Sequence, residues 1–191
     1  MVRTGVLMKK KIFLLTLIAV MAVSSLFAAK NVVFLTGSPW AKQYINTSVG
    51  DYFRSDYGCG AKVGYRHHDG GGLLGVDVTY QNYSYYTQDT DTTAYLGNLQ
   101  LIGKLGGKLV LSQKVDFNLD GGFGINVGFS RVATNFNPMI AGSGSLSFYV
   151  NPSVAVVMGM DASLSWSESE NSAFEAAVWN LVPHIGAEID F

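Results

Sequence analysis

Eight charged residues stand at positions where they share a face with glycine, serine and asparagine rather than with apolar residues. They are Lys62, Arg66, Lys104, Asp77, Asp116, Asp120, Asp161 and Glu188. Charges that face one another inside a protein must pair, because burial removes their hydration. The set therefore predicts either a network of ion pairs or a polar pathway lined with charge.

Three histidines, His67, His68 and His184, are the side chains that could act as general bases or bind a metal ion. Adjacent residues of a strand point to opposite faces, so His67 and His68 cannot hold one ion together, and no second ligand pair has suitable spacing. The glycine runs at residues 70–72 and 106–107 do not open a helix and are not phosphate-binding loops. We expect no catalytic residue, no metal site and no cofactor.

The amino-terminal residues carry the pattern of a secretory signal. Three lysines at positions 9–11 precede an apolar run at residues 12–23, and small residues follow it. The run is shorter than the ~20 residues of a membrane-spanning helix. We predict a signal peptide at residues 1–29, with residues 1–7 as an overlong start, and one mature domain at residues 30–191.

The composition of the chain excludes some partners. Charged residues are 14% of the chain and the net charge is −1. A soluble domain has about a quarter of its residues charged. The near-zero net charge gives no electrostatic surface for nucleic acid, so we expect no nucleic-acid partner.

The mature chain alternates apolar and polar residues with a period of two, which predicts β-strands. The clearest segment runs through residues 115–130, where Phe117, Leu119 and Phe123 alternate with small and polar residues. Six further segments behave alike. A single-chain bacterial barrel has an even number of strands. An eighth strand is therefore expected before Tyr57, at residues 42–50 or, almost equally well, at residues 31–38.

The connections between these segments alternate in length. Short ones lie at residues 68–72, 112–114 and 151–153, and longer polar ones at residues 84–93, 131–138 and 167–172. Short turns on one rim and long loops on the other are typical of an outer-membrane barrel. Pro183 is an irregularity in the last segment, because proline removes a hydrogen-bond donor from a sheet; it marks either a bulge or the start of the spanning part.

Aromatic residues show which face of the sheet is apolar and outward. The polar face is mostly glycine, serine, asparagine and aspartate, which suits the narrow interior of an eight-stranded barrel. The apolar face carries aromatic residues near the strand ends: Tyr80, Phe129 and Trp166 toward the long loops, and Tyr65, Phe148 and Phe191 toward the short turns. Such girdles lie at membrane interfaces. The predicted fold is all-β, an eight-stranded antiparallel transmembrane up-and-down β-barrel.

The carboxyl terminus, with Ile185, Ala187, Ile189 and Phe191 at alternate positions, resembles the assembly signal of outer-membrane barrels. With the strand pattern, the mature chain resembles the small barrels typified by OmpX, the membrane domain of OmpA, and OmpW. The resemblance implies a multi-pass protein of the bacterial outer membrane whose partners are outer-membrane lipid and the barrel-assembly machinery. It implies fold and location better than activity.

Two functions compete. The first is a structural or surface-interaction barrel with a plugged lumen, which offers its extracellular loops, including residues 87–93 and 168–170, as a binding and antigenic face for host ligands. The second is an OmpW-like narrow channel that passes small hydrophobic molecules sideways through a gap in the wall, supported by Leu96, Ile102 and Val157 on the inward register. A lipid-modifying enzyme is disfavoured, because the histidines lie toward the short turns and those enzymes act at the outer rim.

Overall fold

The computed structural model describes residues 30–47, 52–69, 71–87, 92–130, 134–167 and 176–191. Residues 1–29, which hold the predicted signal peptide, lie outside that set. In the described part of the chain no helix is long and apolar enough to cross a membrane. The strand segments there are β1 (Lys30–Ser38), β2 (Lys42–Thr47), β3 (Tyr52–Arg54), β4 (Tyr57–Asp69), β5 (Gly72–Thr87), β6 (Thr92–Ser112), β7 (Val115–Phe129), β8 (Thr134–Asn151), β9 (Val154–Ser167) and β10 (Ala176–Asp190).

The segments form one closed antiparallel barrel. Consecutive neighbours pair from β4 to β10, β1 pairs with β4, and β1 also pairs with β10, which closes the ring. If paired residues are followed from strand to strand around the ring, starting at Phe34 in β1, the path comes back at Ile45 in β2 and not at Phe34. This offset along the chain shows that the strands are strongly tilted to the barrel axis. The predicted eight-stranded up-and-down barrel is confirmed.

The first of the eight barrel strands is made of both segments that the sequence left as alternatives. β1 pairs with the end of β10 and β2 with its beginning, so residues 31–38 and 42–47 belong to one interrupted strand. Pro39 and Trp40 form the interruption. Ser38 before it and Ala41 after it both face the interior, although three positions apart, because the break adds one residue to the alternation. The alternation is therefore lost in the one strand that the sequence could not place.

Pro183 makes no bulge in β10, and the strand itself begins earlier, at Ala176. Its pairing with Met160 of β9 is in register with the residues on both sides. On its other side, pairing with β2 ends at Leu181 and pairing with β1 starts at Ile185. The proline thus faces the interruption at Pro39 and Trp40, where no ladder donor is required. We call this place in the wall the proline break.

Two of the predicted long loops are largely strand. β5 and β6 stay paired up to Thr87 and Thr92, so most of the segment predicted as a loop at residues 84–93 is a raised hairpin. Likewise β8 begins at Thr134, within the predicted loop at residues 131–138. The tips at residues 88–91, 131–133 and 168–175 lie outside the described residues. Polar residues were mistaken for a loop because a strand that rises above an apolar belt is polar on its outer face.

Inward and outward positions differ in the space that they leave beside a glycine. A Cβ added at the inward Gly186 would lie 2.0 Å from Leu35 O, and one added at the inward Gly124 would lie 2.0 Å from Leu101 O. One added at the outward Gly37 would meet nothing within 4 Å. Inward glycines therefore let neighbouring backbones approach closely enough for a narrow ring to close.

Candidate functional site in the barrel lumen

Lys104 is the centre of the ion pairs inside the barrel. Its Nζ lies 2.8 Å from Asp77 Oδ2 and 2.9 Å from Asp120 Oδ1. It also donates a hydrogen bond to Ser143 Oγ at 2.8 Å, and that hydroxyl donates to Asp120 Oδ1 at 2.5 Å. One buried ammonium thus joins carboxylates from β5 and β7.

Asp161 joins a second cation to the same group. Its Oδ2 lies 2.7 Å from Lys62 Nζ and 3.2 Å from His184 Nδ1, and its Oδ1 lies 3.7 Å from Lys104 Nζ. The sequence did not place His184 in this group. The sequence did contain a sign of it: His184 comes two residues after Val182 and four before Glu188, so it lies on the same inward face of the strand.

Arg66 completes the group, which we call the central cluster: Lys62, Arg66, Lys104, His184, Asp77, Asp120 and Asp161. Arg66 Nη2 lies 3.4 Å from Asp120 Oδ2. Its guanidinium stacks on Phe34 with Cζ 4.3 Å from the ring centroid, and Lys62 Nζ lies 5.4 Å from the same centroid. The three permanent cations and three carboxylates balance, which is the condition for burying charge.

Two of the eight predicted residues lie outside this cluster. Asp116 pairs with Lys108 at 3.0 Å, close to the turn that joins β6 and β7. Glu188 lies beside the hydroxyls of Ser147 and Tyr149. Asp190 pairs with Lys30 at the same end of the barrel. The structure therefore has a central cluster and a second, smaller group of charges at the short-turn end, not one network.

The lumen toward the hairpin end is closed by neutral side chains. Gln43 Nε2 donates to Asn180 Oδ1 at 2.8 Å, and Asn180 Nδ2 donates to Ser163 Oγ at 3.1 Å. Tyr83, fully buried, donates to Gln81 Oε1 at 2.6 Å. Sequence analysis did not single out this amide layer, because isolated asparagines and glutamines on a polar face are also typical of a solvated surface.

Little free volume remains between the central cluster and the amide layer. A cavity of about 10 Å³ is lined by Lys62, Asp77, Gln100, Ile102 and others, which is room for about one water molecule. Of the three residues that were expected to line a channel, Ile102 and Val157 are buried and Leu96 is half-buried, and Ile102 lines this cavity. This central part of the lumen is thus packed rather than open, whereas a cavity of about 510 Å³ lies at the short-turn end, lined by residues that include Lys30, Asp116 and Tyr149.

The histidines lie apart from one another. His184 is in the central cluster, whereas His67 and His68 lie where β4 approaches the short turn. His67 Nδ1 is 3.1 Å from Asn31 Oδ1, which also accepts a hydrogen bond from Tyr65 Oη at 2.6 Å. Within the described residues no group of three or more His, Cys, Asp or Glu side chains could hold a metal ion.

The residues that sequence analysis assigned to the girdles and the terminal signal lie on the outer wall. Phe129 and Trp166 are exposed at the ends of β7 and β9, while Tyr80 is exposed at the middle of β5, because that strand continues to Thr87. Phe148 and Phe191 are exposed toward the short turns, and Tyr65 is half-buried there. Alternate residues of β10 face outward: Ile185, Ala187 and Ile189, followed by Phe191. The outer wall is apolar over most of its height, as in a lipid-facing belt.

Comparison with known proteins shows the fold of this chain and not its activity. No family model matches the sequence, and no curated protein matches it. Among solved structures the chain is similar to Neisserial surface protein A (NspA), with a TM-score of 0.62 and 14% identity over 84% of this chain and 97% of that one. It is also similar to the outer membrane protein AlkL, solved in lipid bilayers, with a TM-score of 0.50 and 10% identity over 85% of this chain and 90% of that one. The chain has the fold of small outer-membrane β-barrel proteins, as the resemblance of its sequence implied.

Proposed function

We propose that the protein is an integral barrel of the bacterial outer membrane that anchors itself in lipid and presents its raised hairpins as a binding and antigenic face. The packed lumen carries this proposal. The wall is apolar on its outside, and the central cluster and the amide layer close the interior. The surface above the membrane is therefore the part of the barrel that is available to bind partners. Outer-membrane lipid and the barrel-assembly machinery are its partners in this proposal, and it has no catalytic role.

Two epitope tags test the orientation and the anchoring. A tag inserted at residues 88–91, between Thr87 and Thr92, is expected to bind antibody on intact cells. The same tag at residues 113–114, in the short turn between β6 and β7, is expected to bind only after the outer membrane is permeabilised. Equal labelling of both tags on intact cells would contradict a membrane-spanning barrel. The purified barrel is also expected to migrate differently on a cold gel before and after boiling.

A second function, a conduit for small hydrophobic molecules, is favoured by the proline break. Inside the break lie Ala41 and Val182, which form a buried apolar cluster with Tyr83. Outside it lies Trp40, which is 70% exposed. An apolar group inside and a stretch of wall that is unpaired toward β10 are what a sideways exit into lipid would require. This candidate exit lies at the proline break and not at Ile102 and Val157, the residues on which the sequence-based channel hypothesis rested.

Closing the break tests the conduit. Pro183→Val restores a backbone N–H opposite Pro39 and Trp40 and is expected to slow any transfer of a small hydrophobic ester into vesicles that contain an esterase. Pro138→Val, in the wall between β7 and β9, is the matched control and is expected to have no effect. A wild-type protein that adds nothing to the transfer rate of empty vesicles would remove the conduit and leave the anchoring proposal in place.

A further inference from the structure

Exposed tyrosines are concentrated on one side of the outer wall, on the raised part of β4, β5 and β6. Tyr57, Tyr86 and Tyr95 are 52%, 51% and 58% exposed. Tyr57 pairs with Ser84, and Ser84 pairs with Tyr95, so these three side chains form one row on a single face across three strands. Tyr86 follows Ser84 by two residues and shares its face. We call Tyr57, Ser84, Tyr86 and Tyr95, with Asn82, the tyrosine wall.

The tyrosine wall begins where the lipid-facing belt ends. Along the outward face of β5, Leu74, Val76 and Val78 are followed by Tyr80, and above Tyr80 the outward residues are Asn82 and Ser84. Tyrosine is enriched at the level of the headgroups, where one side of its ring is apolar and its hydroxyl is wet. The wall is continuous with the belt and stands immediately above it.

The opposite side of the barrel has a different chemistry at its hairpin ends. There, on β8, β9 and β10, the exposed aromatics are Phe136, Trp166 and Trp179. Phenylalanine and tryptophan suit the lipid boundary, whereas the tyrosine wall combines flat rings with hydroxyls and an amide. The difference indicates that β4, β5 and β6 face a more polar layer.

We propose that the tyrosine wall binds the sugar portion of a glycolipid in the outer leaflet of the membrane. This proposal rests on the outer-membrane location proposed above. Sugar rings have an apolar C–H face that stacks on a tyrosine ring and hydroxyls that hydrogen-bond to Ser84, Asn82 and the phenols. Tyrosine offers this large, rigid and amphipathic contact at a small entropic cost. The five residues of the wall carry no charge, which fits a sugar better than a phosphate group.

The backbone of the wall is held in place before any ligand binds. The amide of Tyr86 donates to Asp56 Oδ2 at 2.5 Å, and the amide of Asp56 donates to Ser84 O at 2.9 Å. On the inward face of the same strand, Tyr83 and Tyr85 donate hydrogen bonds to Gln81 and Gln43. The outward tyrosines therefore stand on a rigid, paired hairpin, which lowers the entropic cost of binding.

Binding of a labelled lipooligosaccharide with a short sugar core tests the proposal. The barrel is refolded in phospholipid nanodiscs, and affinity is measured by fluorescence anisotropy. The variant Tyr57→Ser, Tyr86→Ser, Tyr95→Ser is expected to bind about tenfold more weakly, about twofold for each ring. The matched control Phe136→Ser, Trp166→Ser, Trp179→Ser, on β8, β9 and β10, is expected to stay within about twofold of the wild type. Replacing the three tyrosines by phenylalanine keeps the rings and is expected to restore most of the binding.

Three results would overturn the proposal: equal loss in both serine variants, no loss in the tyrosine variant, or equally tight binding of the free core oligosaccharide with the same sensitivity to the tyrosines. The last would assign the wall to a soluble glycan. Each variant is first checked for heat-modifiable migration, and the single variant Tyr95→Ser replaces the triple one if that does not fold. A barrel that fails to enter bilayers would contradict the proposed function, whereas glycolipid binding can still be measured in detergent.

Discussion

Replacing Lys104 by methionine is expected to lower the free energy of unfolding by about 3–5 kcal/mol, the range for breaking a buried ion pair by removing one partner. The side chain fills a similar volume, so the change removes charge more than packing. Asp77 and Asp120, 2.8 Å and 2.9 Å from Lys104 Nζ, lose their nearest cation in an interior from which water is largely excluded. The measurement is a urea titration of the protein in lipid vesicles, followed by the fluorescence of its tryptophans.

Two further variants separate charge from general damage. Lys114→Met removes an exposed lysine from the turn between β7 and β6 and is expected to change stability by less than about 0.5 kcal/mol. The double variant Lys104→Met, Asp77→Asn removes one of the stranded carboxylates and is expected to recover part of the loss, because residues in one network do not contribute additively. A Lys104→Met barrel as stable as the wild type would show that the central cluster does not hold the lumen closed.

The sequence predicted the barrel well where alternation was strict and poorly where it was interrupted. The strands from Tyr57 onward follow a period of two, because one face of each belongs to the apolar outer wall and the other to the polar lumen. The first strand of the barrel was not predicted as one strand because Pro39 and Trp40 interrupt it. The interruption adds one residue, so the alternation of inward and outward residues up to Ser38 is out of phase with the alternation from Ala41 onward. No count of apolar residues could join the two halves, since only pairing with β10 shows that they are one strand.

The alternation along the strands predicted which charged residues point inward, but it did not predict which of them form ion pairs with one another. Which residues point inward follows from alternation alone. Which inward residues meet depends on the tilt of the strands, which brings Lys104 of β6 to Asp161 of β9 and leaves Asp116 near Lys108. The raised hairpins were missed for a related reason: Ser84 and Thr93 are polar because they stand above the apolar belt, and composition alone does not distinguish such a strand from a loop.

The inward glycines show a further limit of reasoning from composition. Small residues on the polar face were taken to fit a cramped lumen. At most of them the atom nearest to an added Cβ is a backbone oxygen of a neighbouring strand, although Gly58, Gly64 and Gly159 also face lumen side chains. A Cβ on Gly186 would lie 2.0 Å from Leu35 O and 2.5 Å from Thr36 Cα, both on β1. The glycine is therefore required where the last strand closes on the first.

Gly186→Ala is accordingly expected to lower the free energy of unfolding by about 2–3 kcal/mol or more, because a backbone contact cannot be relieved by rotating a side chain. The strands β1 and β10 must move apart, and each hydrogen bond near Gly186 must lengthen. The variant is also expected to refold to a smaller fraction of the fast-migrating, unboiled form on a cold gel. Urea titration in vesicles measures the loss of stability, and the gel measures closure.

Gly37→Ala is the matched control, because Gly37 lies in the same seam, is paired with Ile185 next to Gly186, and points outward with nothing within 4 Å of an added Cβ. It is expected to be neutral, or more stable by up to about 1 kcal/mol because alanine reduces the freedom of the unfolded chain. If both alanines were equally harmful, the seam would be intolerant of any change and the contact with Leu35 would not be the cause. If both were neutral, the two strands would have room to separate, and closure of the barrel would not depend on the glycine.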